Sequence, residues 1–275
     1  MLMYCSDYHL HTLISSDSPA SLEQQALAAL EAGLNELCVT DHWNLLDQQA
    51  NPLPHTRDWA ASIAQVQKAR EQFAGQLEIR LGVEVGNGEI DPAGVMEGLI
   101  QAGTDLDFVI GSLHNMSLGA GGLGIYSAAH QCQHPEEGIA LLDDYVDNLQ
   151  ALAETDTFDI LGHVIYPLRY LPQQWQLTLD PYEEQLRQLF RYLIQSGRGI
   201  EFNTTQGQTI AEWVPVLKIY QDCGGEILTV GSDAHRPEFV GAGFRDTYAL
   251  LNSLGFRWHC TYRGRKPEFH ALEVL

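Results

Sequence analysis

The sequence predicts an α/β protein, a parallel barrel in a single domain, and three observations carry that reading. Short apolar, β-branched runs alternate with longer segments of helical period along the chain, the signature of repeated strand–helix units. Seven such units can be counted, and neither an internal repeat nor a Pro-, Ser- or charge-rich linker divides them. Histidines and carboxylates recur where these strands end, and parallel barrel strands bring their C-terminal ends to one mouth however far apart they lie in sequence. A chain of 275 residues with 45% hydrophobic content suffices for one α/β barrel or two smaller domains; the missing linker favours one, spanning residues 1–275.

The strands expected are Tyr4–His9, Glu36–Thr40, Glu78–Glu84, Asp107–Ser112, Phe158–His163, Gly199–Asn203 and Glu226–Ser232, with Arg257–Tyr262 as a terminal strand or sheet edge. Ser21 caps the first helix, which carries Leu22, Ala26, Ala29 and Leu30 on one face and stops at Gly33. The glycine-rich piece from Leu118 to Gly124 lacks the Gly-Lys-Ser/Thr ending of a phosphate-binding loop. It reads as a flexible surface loop or, because it directly follows His114, as a lid. Ile139, Leu142, Val146 and Leu149 form a core stripe. Asp180-Pro181 opens another helix as N-cap and first-turn proline, with Leu186, Leu189, Phe190, Leu193 and Ile194 inward and Gly197 as the stop. Pro215 interrupts the segment after Thr209, so that helix starts late or kinks.

Charge narrows the partners. Fifteen Lys and Arg against 36 Asp and Glu give a formal net charge of −21, which repels nucleic-acid backbones and anionic membrane surfaces. A small-molecule partner is therefore expected, with no nucleic acid and no membrane. Cys5, Cys38, Cys132, Cys223 and Cys260 are odd in number and contain no C-x-x-C pair, which fits a reducing cytoplasm. The apolar opening Met1-Leu2-Met3-Tyr4 is too short for a signal peptide, and no stretch reaches the roughly 20 apolar residues of a membrane span.

His9, His11, His42, Glu84, His114, His163, Asp233 and His235 all fall at predicted strand ends, and Asp17 joins them from Ser15-Ser16-Asp17-Ser18. Period-two alternation sends His9 and His11 to one face with Leu10 opposite, and Asp233 and His235 repeat that spacing. Singly, each residue has an ordinary explanation: an H-x-H coincidence, a packing histidine, an aspartate capping a turn. Their conjunction over six of the seven strand ends points instead to a multinuclear metal site. Imidazole and carboxylate donors without cysteine suit Zn, Fe or Mn, and nine donors at three or four per ion leave room for two or three divalent ions. Glu84, central in the set, has two oxygens with which to bridge two of them. His55, His130, His134, His259 and His270 lie in predicted loops or near the C-terminus and read as solvated or packing residues.

Taken together, Asp7-Tyr8-His9-Leu10-His11-Thr12, Ser16-Asp17-Ser18, Thr40-Asp41-His42, Gly82-Val83-Glu84, Gly111-Ser112-Leu113-His114, Gly162-His163, Glu201-Phe202-Asn203-Thr204 and Gly231-Ser232-Asp233-Ala234-His235 resemble the PHP (polymerase and histidinol phosphatase) superfamily. Within it they are most similar to the histidinol-phosphate phosphatases. Gly243-Phe244 and Gly264-Arg265-Lys266-Pro267 add weaker agreement. The resemblance implies a distorted (β/α)7 barrel with a trinuclear site. His9, His11, Glu84 and Asp233 would hold one ion, Glu84, His114 and His163 a second, and Asp17, His42 and His235 a third. Two stretches depart from the family pattern: Val164–Tyr170 lacks the acidic residue and basic run expected after Gly-His, and Thr204–Gln208 is neutral where a basic residue is common.

The activity implied is hydrolysis of L-histidinol phosphate to L-histidinol and phosphate, a step of histidine biosynthesis, by a hydroxide shared between cations. The alternative is a PHP-type phosphatase or phosphodiesterase acting on another small phosphorylated metabolite or nucleotide. Asp233 is the candidate to orient the nucleophile or accept its proton, and His235, or a bound water, to protonate the leaving alkoxide. Arg169 is the first candidate to grip phosphate, because a guanidinium makes bidentate contacts. Arg245 is the second.

Overall fold

The computed structural model describes residues 3–272, so Met1 and Leu2 of the apolar opening lie outside it. The parallel strands are β1 (Ser6–Leu10), β2 (Glu36–Val39), β3 (His42–Asn44), β4 (Glu78–Gly86), β5 (Phe108–Ser112), β6 (Ile160–Leu161), β7 (Gly199–Asn203) and β8 (Leu228–Gly231). Between them run α1 (Leu22–Glu31), α2 (Ala60–Gln72), α3 (Pro92–Ala102), α4 (Ile125–Gln131), α5 (Pro135–Ala153), α6 (Glu183–Gln195) and α7 (Val214–Asp222), with α8 (Phe244–Ser253) after β8. The sheet order is β1-β2-β4-β5-β6-β7-β8, with β3 also on β4. β2 and β3 share one barrel position: β2 pairs with Glu78–Leu81, the chain breaks step at Thr40-Asp41, and β3 resumes with His42 opposite Glu84. The result is the seven-position (β/α) barrel expected, with one strand split in a way the sequence had not suggested.

Closure is incomplete and local. The register of β1 on β2 shifts between Asp7 and Leu10. That irregularity turns two consecutive side chains inward, Tyr8 against Phe108 and His9 towards Glu84. Simple alternation would have placed Tyr8 with Leu10; a bulge costs a ladder bond and re-aims a side chain. The seam with β8 is then made by Asp7, whose carboxylate accepts the Ser232 N–H (3.0 Å), the Ser232 hydroxyl (2.6 Å) and the Gly241 N–H (3.0 Å). Beyond it, the Asp233 N–H reaches His9 O at 2.8 Å and the His11 N–H reaches Ala234 O at 2.9 Å.

The barrel interior has two layers. Tyr8, Cys38, Phe108, Ile110 and Ile160 fill the lower one together with Tyr262 and Cys260. The last two come from β9 (Trp258–Arg263), which pairs antiparallel with β10 (Lys266–Ala271). The sequence reading had the first strand of this hairpin and missed the second. His259 and His270 stand in its strands: His259 is fully buried, hydrogen-bonded to Tyr4 O at 2.8 Å and stacked near His270. The apolar outer faces of the strands, such as Leu81, Val83, Val109, Ile200 and Val230, pack against the helices in a second, larger core.

Several local expectations hold and others need correction. Ser21 caps α1 in a capping box with Gln24, and Gly33 and Gly197 end their helices at positive φ. α7 starts late, with Pro215 in its first turn behind a short 3-10 turn, Ala211–Trp213. Asp180 lies inside a 3-10 turn, Asp180–Tyr182, instead of capping α6. Of the stripe read from sequence, Leu142, Val146 and Leu149 face inward together with Gly138, Leu141 and Tyr145, but Ile139 is 44% exposed. β6 is only two residues long, and just before it the Asp159 carboxylate accepts the Val109 N–H (2.9 Å). The Leu118–Gly124 piece is a surface loop anchored at its ends: Asn115 Nδ2 donates to Gly122 O and Asp47 O, and the Met116 N–H donates to Leu123 O. All five cysteines are free thiols. Among the described residues no helix is long and apolar enough to cross a membrane.

Candidate metal centre

The upper layer of the barrel interior is made almost wholly of imidazoles and carboxylates. Glu84, fully buried on β4, is its hub. Its Oε1 lies 3.1 Å from His114 Nε2 and 2.9 Å from His163 Nε2; its Oε2 lies 2.7 Å from His42 Nδ1, 3.4 Å from His9 Nε2 and 3.8 Å from His11 Nε2. Asp233 faces the same space, with Oδ1 3.6 Å from His9 Nε2 and 3.3 Å from His11 Nε2. At the outer edge, Asp17 Oδ2 stands 3.3 Å from both His42 Nε2 and His235 Nε2. All nine sequence-predicted donors therefore meet. Donor atoms of three trios lie within 4.8 Å of one another: His9, His11 and Glu84; His42, Glu84 and His114; His11, His42 and His235.

Buried polar atoms normally find hydrogen-bond partners. Here, among the described residues, His9 Nε2, His11 Nε2, His42 Nδ1 and Glu84 Oε2 are buried without a hydrogen bond, the 2.7 Å approach of His42 Nδ1 to Glu84 Oε2 being out of line for one, and all turn to the same space. Such a concentration of unsatisfied donor atoms in one space suits cations, and the donor set is that of divalent transition metals.

The ionisation of the cluster follows from its crowding. Burial opposes charge on His9, but Glu201, Glu84 and Asp233 outweigh it and hold its pKa well above the usual range. Burial likewise opposes charge on His42, yet Glu84 and Asp17 raise its pKa to about 10. His11 goes the other way, to about 3, through burial and the neighbouring His42. Burial would protonate Glu84 and Asp233, but the surrounding imidazoles hold both well below the carboxylate range. Protons here do the work that cations do better, so metal binding should release them.

A second set of residues fixes the donors, and the sequence reading assigned it no role. Glu201 Oε1 accepts His9 Nδ1–H at 2.6 Å and its Oε2 accepts the His163 N–H at 2.8 Å. Asn203 Nδ2 donates to Glu201 at 3.1 Å and reaches Asp233 Oδ2 at 3.4 Å. Asn44 Oδ1 holds His114 Nδ1 at 2.9 Å, and the Ser112 hydroxyl donates to Glu84 at 2.7 Å. Asp41 accepts from Thr12, Ser15 and Gln65, and Ser15 Oγ in turn meets His11 Nδ1 and the His42 N–H. One signal for Glu201 and Asn203 was available: period two on β7 turns both towards the interior.

Two glycines admit this density of groups. A Cβ on Gly231 would stand 2.4 Å from both Glu201 Oε1 and His9 Cβ, and one on Gly86 2.0 Å from Asn44 Oδ1.

Arg169 closes one side. Its side chain is 5% exposed, NH1 pairs with Asp233 Oδ2 at 3.1 Å, and Nε and NH2 have no hydrogen-bond partner among the described residues. Arg245 opens α8, next to the Ala242 carbonyl that accepts the Thr204 hydroxyl, but its side chain is exposed and makes no hydrogen bond or ion pair among the described residues. Of the remaining histidines, His55 pairs with Asp91, His130 bonds Tyr126 O, and His134 caps α5.

Residues 7–205 match the PHP domain model. The chain belongs to the PHP domain family. Among relatives of this PHP protein is the "Probable histidinol-phosphatase" of Deinococcus radiodurans, 29% identical over 278 residues that cover 95% of this chain and 98% of the relative. The "Histidinol-phosphatase" of Lactococcus lactis is 22% identical, covering 94% and 95%. The crystal structure of histidinol phosphate phosphatase from Lactococcus lactis, complexed with zinc, L-histidinol and phosphate, superposes with a TM-score of 0.81, 22% identity and coverage of 97% and 100%. The crystal structure of the "putative histidinol phosphatase" of Listeria monocytogenes gives 0.70 at 17% identity, covering 88% and 99%. The motif resemblance and the fold it implied are thereby borne out.

Proposed function

We propose that this protein is a metal-dependent phosphomonoesterase whose substrate is L-histidinol phosphate. The observation that carries the reading is a buried guanidinium with two unpartnered nitrogens beside Asp233, facing a cavity of orphaned imidazole and carboxylate donors. One half of that arrangement suits divalent cations and the other a phosphate dianion. The names and bound molecules of the full-length relatives supply the alcohol half of the substrate.

We assign His9, His11, Glu84 and Asp233 to one ion, Glu84, His114 and His163 to a second, and Asp17, His42 and His235 to a third, each drawn from Zn, Fe or Mn. Bound there, divalent ions would neutralise phosphoryl oxygens and make a water acidic enough to ionise near neutral pH. Arg169 binds phosphate through Nε and NH2 while NH1 stays on Asp233, so the phosphate grip and the carboxylate are fixed relative to each other. Asp233, held also by Asn203, orients the attacking water and accepts its proton. His235 Nδ1 is engaged by the Asp233 carbonyl (3.0 Å) and Nε2 faces Asp17, so a water is the better proton source for the leaving alkoxide.

The test is phosphate release from L-histidinol phosphate by protein whose metal content has been measured. A kcat/KM above about 10⁴ M⁻¹s⁻¹ is expected. Negligible turnover with the metals in place would reject this substrate.

A further inference from the structure

The chain leaving His163 enters a 3-10 turn, Tyr166–Arg169, and residues three apart in such a turn share a side. Tyr166 and Arg169 share the side towards the metal centre: the Tyr166 ring stacks on His163 (centroids 4.6 Å), and the Arg169 guanidinium carbon lies 5.2 Å from the ring centre. Ile165 and Leu168, also three apart, occupy another side. The Leu168 N–H donates to Ile165 O at 3.0 Å and the Leu171 N–H to Pro167 O at 3.2 Å, which carries the apolar row on to Leu171.

This second side is the wall of a separate cavity of about 380 Å³, between the chain that leaves β6 and the start of α7. Its volume falls among those of small-molecule sites, roughly 300–1,000 Å³. The floor is apolar, with Ile165, Leu171, Leu179 and Val216 buried and Leu168 half-buried. None of the nine metal-site donors lines it, and neither do Tyr166, Arg169 or Tyr170, so it is distinct from the space in which a phosphoester would be cleaved. Its charged groups are two exposed carboxylates at the rim, Asp180 before α6 and Glu212 before α7. Neither makes a side-chain hydrogen bond or ion pair among the described residues, and no Lys, Arg or His lines the cavity. An apolar floor receives an alkyl chain or ring; two free carboxylates attract an ammonium group and repel an anion.

We propose that this cavity is a regulatory site for a small amphipathic amine, whose occupancy tightens phosphate binding through the turn that both sites share. The inference goes beyond the phosphomonoesterase reading and rests on it only for the role of Arg169. An alkyl group packed against Ile165 and Leu168 braces the turn from behind. Arg169 on the braced turn loses less freedom when phosphate arrives, and lower ordering cost is higher affinity.

The experiment is titration calorimetry of metal-loaded full-length protein with n-hexylammonium as the probe and inorganic phosphate as the second ligand. One hexylammonium per chain should bind saturably, hexanoate should not bind, and Ala211→Trp, which puts an indole into the cavity, should abolish the amine signal. The combined Asp180→Asn and Glu212→Gln variant should weaken it about fivefold. Saturating amine should lower the Kd for phosphate about fivefold in wild type and leave it unchanged in Ala211→Trp. Amine binding that persists in Ala211→Trp, hexanoate that binds as tightly as the amine, or a phosphate Kd unmoved by the amine each overturns the inference. All three substituted residues are exposed, and circular dichroism checks that the variants are folded. Metal-loaded protein that binds no phosphate would defeat the functional reading alone; the cavity is then judged by the hexanoate and Ala211→Trp comparisons, and either failure there rejects it.

Discussion

Glu201→Gln changes one atom, yet the structure predicts a large effect on metal affinity. Glu201 is fully buried and serves three donors: His9 Nδ1–H and Asn203 Nδ2 on one oxygen, the His163 N–H on the other. An amide has a single oxygen, so in either orientation its NH2 faces a donor that the carboxylate had satisfied. If it faces His9, the imidazole is driven to the opposite tautomer and carries its proton on Nε2, the atom turned to Glu84 and Asp233. If it faces His163, the backbone of that donor is displaced. Outer partners of metal-bound histidines are typically worth 10–100-fold in metal affinity, or about 1.4–2.8 kcal/mol. The upper half of that range is expected, because no solvent reaches Glu201 to take over. The assay is competition with a chromophoric chelator, paired with elemental analysis and circular dichroism to establish that the variant is folded. A folded Glu201→Gln protein that binds its full metal complement within twofold of wild-type affinity would refute the argument.

Three further outcomes are expected. Arg169→Lys should lower kcat/KM on the preferred phosphomonoester about 10–100-fold, since one ammonium loses the two free guanidinium nitrogens and the fork that spans phosphate and Asp233; steady-state kinetics decide, and wild-type values would move the phosphate contact elsewhere. Gly231→Ala drives a methyl to within 2.4 Å of Glu201 and His9 across the β1–β8 seam, at a cost of about 1–3 kcal/mol; a lowered melting temperature together with reduced metal content is predicted, and neither change would mean the seam can open. Burial, reinforced by His270, lowers the pKa of His259 from 6.5 to about 3. The unfolded chain therefore binds a proton that the folded chain refuses between those values, and stability that is complete above pH 6.5 falls as pH drops, by about 1.4 kcal/mol per unit. Urea denaturation at pH 6.5 and 5.0 should show His259→Gln losing about 1.6 kcal/mol less than wild type over that interval; equal losses would contradict it.

Much of this protein was legible without coordinates because its information is periodic and local. Strand–helix alternation, the Ser21 cap and the Gly33 and Gly197 stops follow from side-chain periodicity and backbone sterics, which act within a few residues. The nine metal-site donors were legible for a related reason: the parallel barrel topology carries every strand end to one mouth, so identifying the strand ends located the cluster. Ile139 and Asp180 were misjudged because where a helical stripe begins, or a 3-10 turn before a helix, depends on what packs opposite.

Tertiary structure alone decided the rest. The split of the second strand at Thr40-Asp41, which sets His42 opposite Glu84, and the β1 irregularity, which points Tyr8 and His9 both inward, come from the register between distant strands. The Asp7–Ser232 seam joins residues 225 positions apart. Glu201, Asn203 and Asn44 gain their roles only through which donor each one faces. Sequence determined which groups were available and at which end of the barrel they gather, because period and topology suffice for that. Which atom holds which, what remains unpartnered and where a ring lies beside a guanidinium were decided in three dimensions, because hydrogen bonds and close packing depend on distances of a few tenths of an ångström that no local pattern encodes.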